Sequence, residues 1–260
     1  MNSVLVERTS DGIVKITLNR PQAFNSVNRE LALSLIQALD SCHNDDGVRV
    51  VCITGEGKAF CAGQDLKEAT SPELMIGFER LLKEHYTPII ESIVRLNKPV
   101  VCAVNGVAAG AGANIALACD VVIAHEKASF IQAFSAIGLV PDSGGSYFLP
   151  RLIGRARAMA YAMLGDKISA KTPETEGMIY KCYGDDEYET KVSQLLSRLA
   201  GMPTKALNLT KELINKSYDN TLDKQLEMEA QHQITAANSD DYSEGVAAFL
   251  EKRKPEFKGK

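Results

Sequence analysis

The spacing of hydrophobic positions predicts both strands and helices, beginning with a hairpin. VLVERT and GIVKITL alternate polar and apolar residues on either side of Ser10-Asp11-Gly12, a pattern typical of two antiparallel strands joined by a tight turn. Asn28 is a suitable N-cap for a helix in which Leu31, Leu35 and Leu39 recur at helical spacing. The chain therefore opens with a predicted hairpin followed by an amphipathic helix.

Buried strands and helices are then predicted to alternate. VRVVCITG, VVCAV and DVVIA are short apolar runs typical of buried strands, and a long helical pattern covers about 72–96. This alternation indicates an α/β fold with largely parallel pairing. From about 155 the helical pattern dominates, and MIY at 178–180 is the one further strand candidate. We predict a catalytic core over 1–195 and a helical region over 196–260.

The longest uncharged run lies between Lys98 and Asp120 and is long enough to cross a bilayer. Pro99, Asn105 and several glycines divide it into the β-branched piece VVCAV and the Ala-rich piece NIALA. A buried strand, turn and short helix is therefore expected, not a membrane span.

Composition narrows the possible functions. The 260 residues are 45% hydrophobic and carry a net charge of −4, and basic residues cluster only at Lys252-Arg253-Lys254, so nucleic acid is not an expected partner. The six cysteines lie far apart without metal-ligand spacing, which predicts free thiols and no metal. The N-terminus has no signal-peptide pattern, so a cytoplasmic location is expected.

Two stretches rich in small residues follow predicted strands. Phe60–Leu66 (FCAGQDL) would let a ligand approach the main chain closely, although an ordinary strand-to-loop turn explains the same residues. Asn105–Ala113 (NGVAAGAGA) joins a strand to a helix N-terminus, where free N–H groups favour negative charge. Its glycines fall as GxxxGxG, which differs from the GxGxxG of dinucleotide-binding folds.

Asp142 is the candidate acid or base. The stretch Pro141–Gly145 (PDSGG) is typical of a β-turn, so Asp142 has an ordinary structural explanation. A carboxylate beside Phe134, Ile137 and Leu139 could also have a raised pKa and act as a general base. No Ser-His-Asp set or metal motif can be assembled from the sequence.

Taken together and in this order, the motifs resemble the crotonase (enoyl-CoA hydratase/isomerase) superfamily. The resemblance covers essentially the whole chain and rests on LNRPQAFNSVN, GKAFCAGQDLKE, KPVVCAVNGVAAGAGANIALACDVVIA and ASFIQAFSAIGLVPDSGGSYFLPRLIGRARAM. It implies a spiral of ββα units whose C-terminal helices build a trimer or a dimer of trimers. It also implies an acyl-CoA thioester substrate and no separate cofactor, because coenzyme A is part of the substrate.

The resemblance implies a role for each matching residue. The main-chain N–H groups of Gln64 and Ala111 would stabilise a thioester enolate; many family members have Gly at the second place. The Ala62 carbonyl matches an adenine contact, and the C-terminal tail matches one that reaches CoA, in some members from a neighbouring subunit. The residues implied to contact CoA or substrate are Ala23, Phe24, Ala62, Asp65, Leu66, Gly110, Phe134, Phe257 and Lys258.

The acids that are present favour isomerisation. Family hydratases use two Glu residues, and the matching positions here are Asn114 and Phe134, neither of which can transfer a proton. A third acid position, used by related isomerases and dehalogenases, falls on Asp142. The expected reaction is isomerisation of a ring epoxide or of a double bond in an acyl-CoA. A hydratase, another CoA-ester lyase or hydrolase, and a non-catalytic relative are the alternatives.

Overall fold

The computed structural model describes residues 2–260, with the side chain of Glu174 excepted. Ten strands form two sheets. The first sheet has the order β1-β2-β3-β5-β7-β10 and the second β4-β6-β8-β9. The strands are β1 Val4–Arg8, β2 Ile13–Leu18, β3 Val50–Gly55, β4 Ala59–Cys61, β5 Val100–Val104, β6 Val107–Ala109, β7 Val121–His125, β8 Ser129–Ile131, β9 Lys167–Ser169 and β10 Lys181–Tyr183.

Ten α-helices and one π-helix surround the sheets in the part of the chain that the structure describes. The π-helix spans Leu82–Tyr86, directly before α4. The α-helices are α1 Arg29–His43, α2 Leu66–Thr70, α3 Phe78–Leu81, α4 Thr87–Arg95, α5 Ala111–Leu117, α6 Gly145–Leu164, α7 Tyr188–Ala200, α8 Thr204–Lys216, α9 Leu222–Ala237 and α10 Asp240–Glu251.

The elements repeat as a spiral. Each of β3, β5 and β7 lies in the first sheet and is followed by β4, β6 or β8 in the second sheet, after which a helix returns the chain. Pairing within each sheet is parallel except for β1 with β2 and β8 with β9. The predicted α/β spiral of ββα units is confirmed. Because successive turns stack, the loops after β4, β6 and β8 are brought to the same region of the molecule.

Several predictions from the first half of the sequence are confirmed. β1 and β2 form the hairpin, and the Asn28 side chain accepts a hydrogen bond from Leu31 N at 3.0 Å. Leu31, Leu35 and Leu39 are fully buried. The uncharged run forms β5, β6 and α5, and none of the helices described is long and apolar enough to cross a membrane. All six cysteines are free thiols.

Other predicted boundaries were wrong. The helix expected from position 72 begins at Phe78, because Gly77 has a φ of 82° that a continuing helix does not allow. The strand expected at 178–180 lies at Lys181–Tyr183, and the three-residue strands β4, β6, β8 and β9 were missed. Strands this short carry almost no periodic signal, so only their pairing partners identify them.

The C-terminal helices divide into two groups. α7 packs on the first sheet through Val192 and Leu196, so the predicted boundary at 195 falls inside this helix. Lys211 on α8 is buried and its Nζ lies 2.9 Å from a carboxylate oxygen of Asp120, which directly precedes β7. In contrast, α9 has no buried residue. Large apolar side chains are exposed on α8, α9 and α10 at Ile214, Leu222, Leu226, Ile234, Phe249 and Leu250. Exposed apolar surface of this kind suits an oligomer interface, and the expected trimer stays a prediction.

Candidate active site

The two turns rich in small residues are in direct main-chain contact. A Cβ on Gly63 would lie 2.8 Å from Ala109 O, and a Cβ on Gly112 would lie 2.2 Å from Cys61 O. Any side chain at these positions would collide with the opposite main chain. Glycine therefore explains how the turn after β4 and the turn after β6 approach so closely.

Each turn presents one free N–H group. Val27 N donates to Gly63 O at 2.7 Å and Asp65 N donates to Val27 O at 2.9 Å, so Gln64 between them directs its own N–H to the opposite side. Ala111 is the first residue of α5, where an N–H has no partner within the helix. Across residues 2–260 neither N–H donates a hydrogen bond. Two unpaired amides on adjoining turns can bind one oxygen that carries negative charge.

Asp142 lies in a turn with unusual main-chain geometry. Ser143 and Gly144 both adopt left-handed conformations, with φ of 49° and 76°, and Gly145 N donates to Asp142 O at 2.8 Å. The Asp142 side chain is half-buried, and this burial raises the pKa of its carboxyl; a hydrogen bond from Ser143 Oγ at 2.9 Å acts in the opposite direction. A carboxylate with a raised pKa is suited to take up and return a proton.

The apolar wall expected beside Asp142 is only partly present. Phe134 is 6% exposed, and its ring end would lie 3.8 Å from a Cβ on Gly110, so it packs against the turn that carries Ala111. Ile137 and Leu139 are 60% and 38% exposed and do not enclose the site. Ile137 ends the 3₁₀ turn Ser135–Ile137, and Leu139 lies in the segment directly after it. Both segments lie at the molecular surface. Within this chain the wall is therefore reduced to Phe134.

Asn114, on α5, is completely buried. Its Nδ2 donates to Asp142 O at 2.9 Å, and its Oδ1 accepts from Gln132 Nε2 at 2.8 Å. Sequence reasoning missed Gln132. The available signal was a polar residue within the apolar surroundings of Phe130, Ile131, Ala133 and Phe134. Both ends of the Asn114 amide are occupied, so it is not available to a substrate.

Tyr86 is a second residue that the sequence did not reveal. It is 1% exposed at the end of the π-helix, and its hydroxyl donates to Gln64 Oε1 at 2.6 Å. Burial, with a smaller contribution from nearby groups such as Cys61 and Asp142, raises the pKa of Tyr86 well above its ordinary value. The neighbouring His85 is fully buried, and its Nε2 lies 3.2 Å from Arg29 Nη1. π-helical turns often occur at functional sites.

Four of the residues expected to contact CoA lie at one edge of the site. Ala62 N donates to Phe24 O at 3.0 Å, and Ala62, Leu66 and the Phe24 side chain are all exposed beside Gln64. Ala23 precedes this edge in a 3₁₀ turn. These four residues are thus brought together at an accessible edge of the site.

Asp65 differs from its neighbours because its carboxylate is already occupied. It lies 2.7 Å from Arg20 Nη2 and accepts hydrogen bonds from Lys67 N and Glu68 N at the start of α2. Burial would raise the pKa of Asp65, but the Arg20 guanidinium and the two N–H groups outweigh burial and lower it. Asp65 therefore stabilises the Gln64 turn by pairing with Arg20 and capping α2. Its contact with CoA stays a prediction.

The C-terminal tail lies at the other end of β3. Lys258 N and Gly259 N donate to the Asp241 carboxylate at 2.6 and 2.7 Å, and a Cβ on Gly259 would lie 3.0 Å from the Arg49 guanidinium. Arg49 directly precedes β3, whereas the chain continues to β4 and the Gln64 turn from the last residue of β3, Gly55, about 20 Å farther along the strand. Phe257 packs on Gly245 of α10. The tail is therefore not part of its own chain's site, and contact from a neighbouring subunit stays a prediction.

Apolar side chains border the site next to Gln64. A small cavity there is walled mainly by α2 and by the segment between α2 and the π-helix. Its lining residues are Gln64, Glu68, Ala69, Leu74, Met75, Ile76, Gly77, Phe78 and Leu81. Among the described residues no cluster of His, Cys, Asp or Glu is arranged to hold a metal ion.

Comparison with known proteins agrees with this architecture. The family described as enoyl-CoA hydratase/isomerase matches residues 8–260. The chain therefore belongs to this family, the crotonase family, and is an enzyme of the class that acts on coenzyme A esters.

Individual relatives differ in their named reactions. The chain is 44% identical to 1,2-epoxyphenylacetyl-CoA isomerase of Escherichia coli K12, over 100% of both chains. It is 42% identical to a Rhodobacter capsulatus protein named probable enoyl-CoA hydratase, over 96% of both. The crystal structure of an enoyl-CoA hydratase from Bacillus anthracis superposes with a TM-score of 0.92 at 34% identity, covering 99% of this chain and 100% of that one.

Proposed function

We propose that the protein is an acyl-CoA isomerase that converts ring-1,2-epoxyphenylacetyl-CoA into the corresponding oxepin-CoA and also shifts double bonds of enoyl-CoA esters. The observation that carries the proposal is the placement of the acids. Asp142 is the half-buried carboxylate of the site, while Asn114 and Phe134 occupy the two positions at which hydratases hold Glu. The 44% identity to an epoxyphenylacetyl-CoA isomerase supports the same substrate class.

The geometry supports a mechanism based on an enolate. The thioester oxygen accepts hydrogen bonds from Gln64 N–H and Ala111 N–H, which lowers the cost of placing negative charge on it. In a double-bond shift, Asp142 removes a proton from one carbon of the acyl chain and returns it to another. With the ring epoxide, the bond between the two epoxide carbons breaks and both C–O bonds are kept, so the oxygen becomes a member of a seven-membered ring. The two N–H groups stabilise the enolate, and the proton that Asp142 takes from the acyl carbon is returned to the ring. Both reactions rearrange the substrate without adding water.

The side chains of Asn114 and Phe134 argue against hydration. Addition of water to a double bond needs groups that bind the water and transfer its protons. At the corresponding positions this chain has an amide with both ends occupied and a phenyl ring. Hydratase activity is nevertheless the second candidate, because a relative of 42% identity carries that name. Crotonyl-CoA decides between them: loss of its enoyl absorbance with formation of 3-hydroxybutyryl-CoA would favour the hydratase.

Replacing the proposed acid/base gives the direct test. Wild type and Asp142→Asn are incubated with ring-epoxidised phenylacetyl-CoA, and oxepin-CoA is measured by chromatography and mass spectrometry. We expect the variant to retain CoA-ester binding and to lose about 10²- to 10⁴-fold in turnover. Asp166→Asn makes the same change at an exposed carboxylate and should keep the wild-type rate. An Asp142→Asn variant that isomerises at the wild-type rate would refute the assignment.

The assembly is proposed on separate grounds. We expect a homotrimer or a dimer of trimers, supported by the exposed apolar side chains of α8–α10 and by a tail that lies away from its own site. Light scattering coupled to size exclusion gives the mass in solution. A monomer of 28.2 kDa would contradict this expectation.

A further inference from the structure

Two buried amides connect the core to the turn that carries Asp142. Asn114 on α5 is 0% exposed and Gln132, directly after β8, is 2% exposed. Gln132 Nε2 donates to Asn114 Oδ1 at 2.8 Å, and Asn114 Nδ2 donates to the main-chain carbonyl of Asp142 at 2.9 Å. This chain of hydrogen bonds thus ends at the main-chain carbonyl of Asp142, the residue proposed as the acid/base.

The acceptor at one end fixes the orientation of both amides. A main-chain carbonyl can only accept, so Asn114 must direct its NH₂ group at Asp142 and its oxygen at Gln132. Gln132 must then present its own NH₂ group to that oxygen. Its Oε1 is left buried with no hydrogen-bond partner within residues 2–260. An unpaired buried oxygen lowers stability by roughly 1–3 kcal/mol, so the pair is not explained by stability alone.

The turn at Asp142 needs support from its surroundings. Ser143 has a φ of 49°, a left-handed conformation that costs a residue with a side chain on the order of 1–2 kcal/mol. The Asp142 carbonyl accepts from Gly145 N as well as from Asn114 Nδ2. A Cβ on Gly145 would lie 2.3 Å from Asn114 Nδ2, so the amide is packed tightly beneath the turn. Without Asn114, a single hydrogen bond would hold this carbonyl.

We propose that Asn114 and Gln132 are positioning residues for the reaction. Asn114 holds the Asp142 main chain, and thereby its carboxylate, in place against the conformational strain at Ser143. Gln132 keeps the Asn114 amide in the orientation that donates to the carbonyl. This inference rests on the proposed role of Asp142 as the acid/base. Position 114, where the resemblance implies Glu in hydratases, would then have a role that involves no proton transfer.

Two substitutions separate positioning from stability. Asn114→Leu removes the donor to the Asp142 carbonyl while approximately keeping the shape of the side chain. Gln132→Met removes the unpaired Oε1 but leaves Asn114 Oδ1 unpaired, so its melting temperature should stay near that of wild type. Each variant should lower kcat about tenfold, the equivalent of one hydrogen bond of about 1.4 kcal/mol, with KM unchanged. Asn220→Leu removes a partly buried amide pair far from the site, Asn220–Gln225 at 2.9 Å between the α8–α9 turn and α9, and should leave kcat unchanged.

A double-mutant cycle with Asp142→Asn gives the decisive result. If Asn114 acts through the carboxylate, Asn114→Leu lowers kcat in the wild-type background but not in the Asp142→Asn background. Equal losses in both backgrounds, or a wild-type kcat for Gln132→Met, would overturn the inference. Should Asn114→Leu fail to fold, the same cycle is run with Gln132→Met.

Failure of the proposed function gives a different pattern. If Asp142→Asn itself keeps the wild-type rate, the acid/base assignment is wrong. If that variant is inactive while both amide variants turn over normally, only the positioning inference fails.

Discussion

Replacing Ala111 by proline would remove one N–H of the proposed oxyanion site with little other change. Ala111 is the first residue of α5, where its N–H has no intrahelical partner and where proline is favoured in helices. The preceding Gly110 has φ 53° and ψ −126°, outside the helical region that a following proline disfavours. The substitution therefore deletes a donor without removing a hydrogen bond from the fold.

The expected magnitudes for activity and stability differ widely. Loss of one oxyanion donor costs about 2.7–4 kcal/mol of transition-state stabilisation, or about 10²- to 10³-fold in kcat. Because no intramolecular hydrogen bond is lost, we expect the free energy of unfolding to change by less than about 1 kcal/mol. The proline Cδ also replaces the hydrogen that would face the thioester oxygen, so neither water nor substrate can restore the contact.

Ala111→Gly is the matched control, because it changes the same residue and keeps the N–H. It should lower stability by about 0.5–1 kcal/mol and leave kcat within a few-fold of wild type. Turnover of the epoxide or enoyl substrate is measured beside thermal unfolding for all three proteins. A folded Ala111→Pro variant with kcat close to wild type would refute the oxyanion role. An equal loss of kcat in Ala111→Gly would point to packing instead of the missing N–H.

Three further predictions concern charged groups around the site and the core. Burial raises the pKa of Asp142 in the folded protein, so the protonated carboxyl is tolerated but its ionisation destabilises the fold as pH rises through that pKa. Asp142→Asn should therefore unfold at a higher temperature than wild type at pH 7, with no difference well below pH 4. Asp65→Ala leaves Arg20 without its carboxylate partner and should lower the free energy of unfolding, measured in urea, by about 3–5 kcal/mol. A loss under about 1 kcal/mol would contradict the supporting role of Asp65. Lys211→Met leaves the partly exposed carboxylate of Asp120 without its cationic partner. Desolvation already raises the pKa of Asp120, so the loss of thermal stability should be larger at pH 7 than at pH 5; a pH-independent loss would exclude this cause.

Local patterns in the sequence were sufficient for much of the fold. The hairpin, the Asn28 cap and the long buried strands were predictable because alternation, capping and β-branched runs depend only on residues close in sequence. Three-residue strands and the start of the helix at Phe78 were not predictable, since pairing partners and a single positive φ at Gly77 determine them.

The candidate site divides in the same way. The sequence by itself determined the residue types: small residues in two turns, an acid at 142, an amide at 114 and a phenyl ring at 134. Only the tertiary structure decided that the two turns touch, that Asp65 is paired with Arg20, that Gln132 orients Asn114, and that the tail lies at the opposite end of β3. These facts depend on contacts between residues far apart in the chain. Such contacts are set by how the turns of the spiral stack, which no local pattern of hydrophobic positions records.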